Sequence, residues 1–214
     1  MTWAKAHRWL AVLLVVLLAV WSVTGLLFHL KPGWDRAYDM LSAERGGALH
    51  PAQLVAPATV GDDITGLELI DTVLGPLYRV TNAGGSFLVD ATTGLRRSPL
   101  AEADARRLAL DAVSRSRHQV AYGEIQSVTA REDAVVLVFG GGANVEVSRA
   151  DARMSQRGHD TDRIDWLYRI HYLQWTGNKT IDRAFAMFGL ALIWAVMIPG
   201  LVLFVRRLRA PSAR

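Results

Sequence analysis

Six histidines and no cysteine set the ligand chemistry open to this 214-residue chain. Without thiols there are no disulfides, thiolate metal sites, iron–sulfur clusters or covalently attached c-type haem. Two of the imidazoles stand in apolar surroundings. His29 sits one residue from the end of the apolar run Trp9–Leu30. His171 lies in Ile164–Trp175, where Ile164, Tyr168, His171 and Trp175 share one helical face and Trp166, Ile170 and Leu173 make the other side apolar as well. An ionisable side chain within membrane-length sequence is a functional candidate by default. Two neutral imidazoles, one from each of two neighbouring helices, can supply both axial bonds of a b-type haem; that closes the iron to oxygen and favours electron transfer. The competing uses are an interfacial polar residue at His29 and a hydrogen bond within the folded domain at His171.

The other four histidines offer less. His7 lies at the opposite end of the first apolar run, and Met197–Val205 supplies no histidine to face it. A second haem there would need the His7 of another copy, so a headgroup-level residue beside Arg8 and Trp9 is the simpler reading. His50, His118 and His159 fall in polar stretches expected to be exposed. His159-Asp160-Thr161-Asp162 has metal-ligand chemistry, but Arg157 and Arg163 flank it and argue against a cation site. No metal site is expected beyond haem iron. Gly140-Gly141-Gly142 lies between two strand patterns with no helix after it, and so reads as a hairpin rather than a phosphate cradle.

What positions His29 and His171 is a pair of 22-residue apolar runs, Trp9–Leu30 and Ala184–Val205. At ~1.5 Å per residue each spans the ~30 Å hydrocarbon core as a helix. The flank Met1–Arg8 carries Lys5 and Arg8, the tail carries Arg206, Arg207, Arg209 and Arg214, and neither contains an acid. The positive-inside rule therefore puts both ends in the cytoplasm. Lys31–Thr180 contains 17 Lys and Arg against 19 Asp and Glu, so the basic balance belongs to the flanks and nucleic acid is not an expected partner. Membrane lipid is. Phe28–Trp34 lacks a small-x-small cleavage pattern, which predicts an uncleaved anchor. The layout is a flank (1–8), a span (9–30), an outer domain (31–180), a span (181–205) and a basic tail (206–214).

The outer domain reads as α+β. Strand patterns cover Ile64–Asp71, Leu77–Thr81, Ser86–Asp90, Glu124–Thr129, Val135–Phe139 and Asn144–Val147. Asn82-Ala83-Gly84-Gly85 is a hairpin turn. Between the two strand sets, Pro99–Ser116 carries one apolar stripe and predicts a helix. Leu77–Gly94 and Val136–Arg153 share a plan of strand, Gly-rich hairpin, strand and polar turn, which suggests two similar units; Pro51–Thr59 would be the degenerate helix of the first. Thr180 is placed to N-cap the second span, with Asp182 favourable for its dipole. Pro199 predicts a kink. Trp21 and Trp194, inside the apolar runs, each need a partner for the indole N–H.

Several segments resemble a known family. Leu77-Tyr78-Arg79-Val80, leading to Leu88-Val89-Asp90-Ala91-Thr92-Thr93-Gly94, is similar to the end of a PepSY unit, a strand closing on V-D-x-x-T-G. Ser98–Ala105 resembles the helix that opens such a unit. His7-Arg8-Trp9-Leu10, Thr24-Gly25-Leu26-Leu27 and Ile170–Asn178 resemble the PepSY-associated transmembrane family. The second unit departs, reading Val147-Ser148-Arg149-Ala150-Asp151. The resemblance implies a bacterial inner-membrane protein with a periplasmic domain of two PepSY-like units, and relatives that carry b-type haem on histidines. The leading expectation is an auxiliary protein with no catalytic residue. It presents its domain to an unidentified membrane or periplasmic protein partner, in a redox, iron-handling or respiratory system, with one b-type haem on His29 and His171 as its redox form. The enzymatic rival is a minimal ferric-siderophore reductase acting as a homo-oligomer. The binding rival is a membrane-anchored, peptidase-regulating PepSY module.

Overall fold

The computed structural model describes residues 3–49, 51–56 and 63–209. In chain order the elements are α1 (Trp3–Leu30), α2 (Trp34–Ala37), a 3₁₀ turn (Pro51–Gln53), β1 (Ile64–Thr72), β2 (Gly75–Asn82), β3 (Gly85–Asp90), α3 (Glu102–Arg115), α4 (Gln119–Tyr122), β4 (Ile125–Ala130), β5 (Ala134–Phe139), β6 (Asn144–Ser148), β7 (Met154–Arg157), α5 (His159–His171) and α6 (Lys179–Arg209). They divide into two compact units, residues 1–32 with 163–214, and residues 33–162.

The first unit contains two helices long and apolar enough to cross a membrane, over Arg8–Leu30 and Lys179–Val202. α6 runs through Pro199 without interruption. Its N-cap is Asn178, whose Oδ1 accepts from the backbone N–H groups of Thr180 (3.0 Å) and Ile181 (3.4 Å). Thr180, the expected cap, is therefore already inside the first turn. Asp182 stands in that first turn, as expected for the dipole, and also ties down the preceding loop: its Oδ1 accepts from the N–H and hydroxyl of Thr176, at 3.0 and 2.8 Å.

The second unit is α+β, with antiparallel sheets ordered β1-β2-β3 and β4-β5-β6-β7. All six expected strands form, and β7 adds an edge strand whose polar sequence Met154-Ser155-Gln156-Arg157 gave no apolar alternation to read. One core joins both sheets to α3, through Ile70, Leu77 and Leu88 from one and Leu137, Phe139 and Val145 from the other, with Leu108 between. The far face of the first sheet buries Tyr78, Val80 and Val89 in a smaller cluster. Sharing one core lets the pair bury more apolar surface than either sheet would alone.

The repeat extends to backbone detail. Gly94 (φ +71°) closes the turn after β3, its N–H bonded to the Asp90 carbonyl at 2.8 Å; Ala152 (φ +57°) closes the turn after β6, its N–H bonded to the Ser148 carbonyl at 3.0 Å. The N–H of Val55 bonds to the Ala91 carbonyl, and that of Leu100 to the Arg149 carbonyl, both at 2.8 Å. The turn that departs from V-D-x-x-T-G in sequence thus keeps its geometry, with an alanine held left-handed at a cost of about 1–2 kcal/mol. Arg149, which replaces Ala91, reinforces it by donating from Nε to the Leu100 carbonyl at 2.8 Å. Among the described residues, the counterpart in the first strand set of the helix that α3 supplies to the second is the 3₁₀ turn Pro51–Gln53; residues 57–59 of the expected Pro51–Thr59 helix lie outside the described residues.

In the first turn the Asp90 carboxylate accepts from the Thr92 hydroxyl (2.6 Å) and from the N–H groups of Thr92 (2.9 Å) and Thr93 (3.0 Å). The Thr92 hydroxyl, the largest influence, holds its pKa below the ordinary carboxylate value; burial, the next largest, opposes it, and the N–H groups of Thr92 and Thr93 add to the lowering. The folded pKa is depressed. The stabilisation is therefore complete above the ordinary value near 4 and is lost as pH falls through the folded one. Asp90→Ala is expected to cost about 1 kcal/mol at neutral pH. Asp90→Asn, which keeps the acceptor and drops the charge, should flatten the acid limb of stability measured by denaturant titration from pH 6 to pH 2.

Candidate functional site

Among the described residues His171 is the best-anchored histidine, and α1 anchors it. Trp21, Thr24 and Phe28 recur at helical spacing along one face of α1, and all three meet the end of α5. The Thr24 hydroxyl lies 2.8 Å from His171 Nδ1. It also lies 2.8 Å from the Val20 carbonyl and 3.2 Å from that of Trp21. A hydroxyl has one proton, and in a helix it is spent on the preceding turn. In the tautomer that pairs with this hydroxyl as acceptor, Nδ1 carries the proton and Nε2 keeps the lone pair. The Trp21 indole N–H donates to the His171 carbonyl at 2.7 Å, which supplies the partner that a tryptophan at this depth required.

Aromatic rings close the surroundings. Phe28 meets the imidazole edge-on at 5.0 Å and Tyr172 at 5.3 Å, while Tyr168 packs on Phe28 at 4.7 Å. α5 ends here because the chain turns left-handed at Leu173 (φ +55°), with the Gln174 N–H returning to the Arg169 carbonyl at 2.8 Å. A leucine in that conformation is held by its buried side chain, which packs toward Gly189 and shares an apolar groove with Leu14, Leu17 and Ile193. Trp175, expected on the same helical face as His171, lies beyond the helix end. Gly25 adds little: a Cβ there would sit 4.0 Å from His171 Cε1, an ordinary contact.

The remaining expected residues fall elsewhere. His29 is one residue past Phe28 on α1, exposed, and outside the hydrogen bonds and ring contacts that hold His171. His7 is within α1, but its side chain lies outside the described residues, as does His50. In the second unit Asp160 pairs with Arg36 and Asp162 with Arg157, each at 2.9 Å, so the carboxylates near His159 are committed to arginines. His159 is exposed as expected. His118 is half-buried with its Nε2 enclosed, because the α3–α4 junction folds its ring inward.

A polar network that the sequence did not announce lies beside it. Asp39 Oδ2 accepts from Ser116 Oγ and, at 3.0 Å, from the Tyr122 hydroxyl. Burial first, then the hydrogen bond to Asp39 and its negative charge, push the Tyr122 phenol well above its ordinary pKa, so it remains a donor. The three partners are 77 and 83 residues apart in sequence, a separation no local pattern reports.

A family model described as the PepSY-associated TM region matches residues 4–214. No curated protein and no solved structure matches the chain.

Proposed function

Because the chain belongs to the PepSY-associated TM family, we propose that this two-span membrane protein is an auxiliary, ligand- or partner-binding subunit of a redox, iron-handling or respiratory system. In this reading it sits in a bacterial inner membrane, with residues 31–180 on the periplasmic side and both termini in the cytoplasm. The observation that carries the redox part is the Thr24–His171 hydrogen bond at 2.8 Å. Metal-ligating histidines characteristically donate their second ring N–H to a fixed acceptor, which sets the tautomer and the ring orientation. The Thr24 hydroxyl stands at hydrogen-bond distance from His171 Nδ1. A b-type haem would be held by His171 through Nε2, with His29 as the second candidate ligand. Such a haem would supply one-electron transfer. The chain's own contribution is to orient the His171 ring through Thr24 and to pack it against Phe28 and Tyr172.

The test is an absorption spectrum of the detergent-solubilised, haem-supplemented protein, oxidised and reduced. A Soret band is expected, lost in His171→Ala and diminished in His29→Ala. Spectroscopic silence would remove the redox part and leave a binding module. A band indifferent to both substitutions would place the haem elsewhere.

A further inference from the structure

A groove of about 610 Å³ opens where α5, its following loop and the start of α6 meet, and its wall is basic. Arg169, Lys179 and Arg183 line it together with Tyr172, Gln174 and Asp182. The three cations are exposed. The single acid is otherwise engaged, because Asp182 is buried and its Oδ1 accepts both bonds from Thr176. Lys179 and Arg183 stand in and just after the first turn of α6, the end of a helix where the macrodipole disfavours cations. Helix stability does not explain them. Nor does the helix end itself supply the site, since the N–H groups of Thr180, Ile181 and Asp182 are already taken by Asn178.

The level of the groove is marked by aromatic side chains. Tyr172 is 55% exposed and Trp175 56%, and Trp175 lies 6.4 Å from the Phe185 ring. Exposed tyrosine and tryptophan at the end of a span mark the headgroup layer of a bilayer. Phosphate groups sit in the same layer. Two guanidinium forks and an ammonium are the donor set that suits a phosphate diester, the arginines by paired N–H bonds and the lysine as a point charge. We propose that Arg169, Lys179 and Arg183 form a binding site for the headgroup phosphate of an anionic phospholipid, at the end of the spans nearer α5. This site does not depend on the haem reading.

The full-length protein in detergent, titrated with phosphatidylglycerol or with phosphatidylcholine of the same acyl chains and read by native mass spectrometry, tests it. Phosphatidylglycerol should bind more tightly than phosphatidylcholine. At about 5-fold per cation near a membrane surface, Arg183→Gln should weaken the phosphatidylglycerol adduct about 5-fold and Arg169→Ala/Lys179→Ala/Arg183→Ala about 100-fold. Arg106→Ala/Arg117→Ala/Arg131→Ala, which removes three cations from the other unit, should leave it unchanged. Equal affinity for the two lipids, or equal loss in the control triple variant, would overturn the site. Displacement of phosphatidylglycerol by inorganic phosphate at constant ionic strength would overturn the lipid assignment in favour of a soluble anion. The single Arg183→Gln variant, at an exposed position, keeps the test valid should the triple variant fold poorly.

Discussion

Replacing His171 by alanine is expected to lower the stability of α5 docked on α1 by about 2–4 kcal/mol. The ring fills space between Phe28 and Tyr172, and truncating a packed side chain of this size costs that much where the site collapses only partly. Thr24→Val isolates the polar share. It preserves shape and leaves the Nδ1–H without an acceptor, at about 1 kcal/mol, toward the upper end of what interhelical hydrogen bonds contribute in membrane proteins. The two effects should not add, because once the imidazole is gone the introduced valine leaves no donor unpaired; the double variant should resemble His171→Ala alone. Amide hydrogen exchange over Ile164–His171 reads this directly, since opening of α5 exposes that segment. Trp21→Phe supplies a third arm: it frees the His171 carbonyl, one of the unpaired acceptors at a helix end. Additivity of Thr24→Val and His171→Ala would mean that the 2.8 Å approach carries no energy, and would take the support from Nε2 as a poised ligand with it.

The parts of this architecture legible from sequence are those with short-range causes. Two apolar runs of membrane length, alternation in β2 and β5, and the apolar stripe of α3 each write their period into consecutive residues. Boundaries were less legible. Asn178 rather than Thr180 caps α6 because the side chain that reaches the orphan amides is decided by the loop before it, and α5 starts at His159 because acidic residues at Asp160 and Asp162 suit a helix N-terminus although they read as a polar loop. The turn after β6 hid its kinship to V-D-x-x-T-G because Ala152 accepts a left-handed conformation that sequence reasoning assigns to glycine. At the candidate site, His171 stood out by context, but its partners did not: Thr24 and Trp21 lie 147 and 150 residues away. Thr24-Gly25 stood out in sequence as part of the family resemblance, and of the two it is the threonine that bonds to His171. The indole N–H of Trp21 was the one usable signal, since a tryptophan at that depth demands an acceptor.

Gly141→Ala is the second large effect expected, and the three glycines that join β5 to β6 should separate cleanly when each is replaced. A Cβ on Gly141 would overlap the Ala121 carbonyl oxygen and lie 2.9 Å from that of Tyr122. Both obstacles are backbone, so no side chain can swing aside. The hairpin must back away from α4, which breaks the 2.7 Å bond from the Gly141 N–H to the Tyr122 carbonyl and loosens the edge-on contact of Tyr122 with Phe139 in the shared core. Overpacking compounded by loss of a buried hydrogen bond puts the cost at about 3–5 kcal/mol. Gly142 has open space around it but φ +83°, so Gly142→Ala should cost only the left-handed strain, about 1 kcal/mol. Gly140 meets the Glu124 carbonyl at 3.4 Å and the flexible Gln126 side chain at 3.6 Å, and Gly140→Ala should fall below either of these. Thermal unfolding followed by far-ultraviolet circular dichroism gives the ranking. The order Gly141, Gly142, Gly140 follows from the hairpin being pressed against α4; a Gly141→Ala variant as stable as Gly140→Ala would mean that the two do not meet there, and that the network from Asp39 to Tyr122 is held by something else.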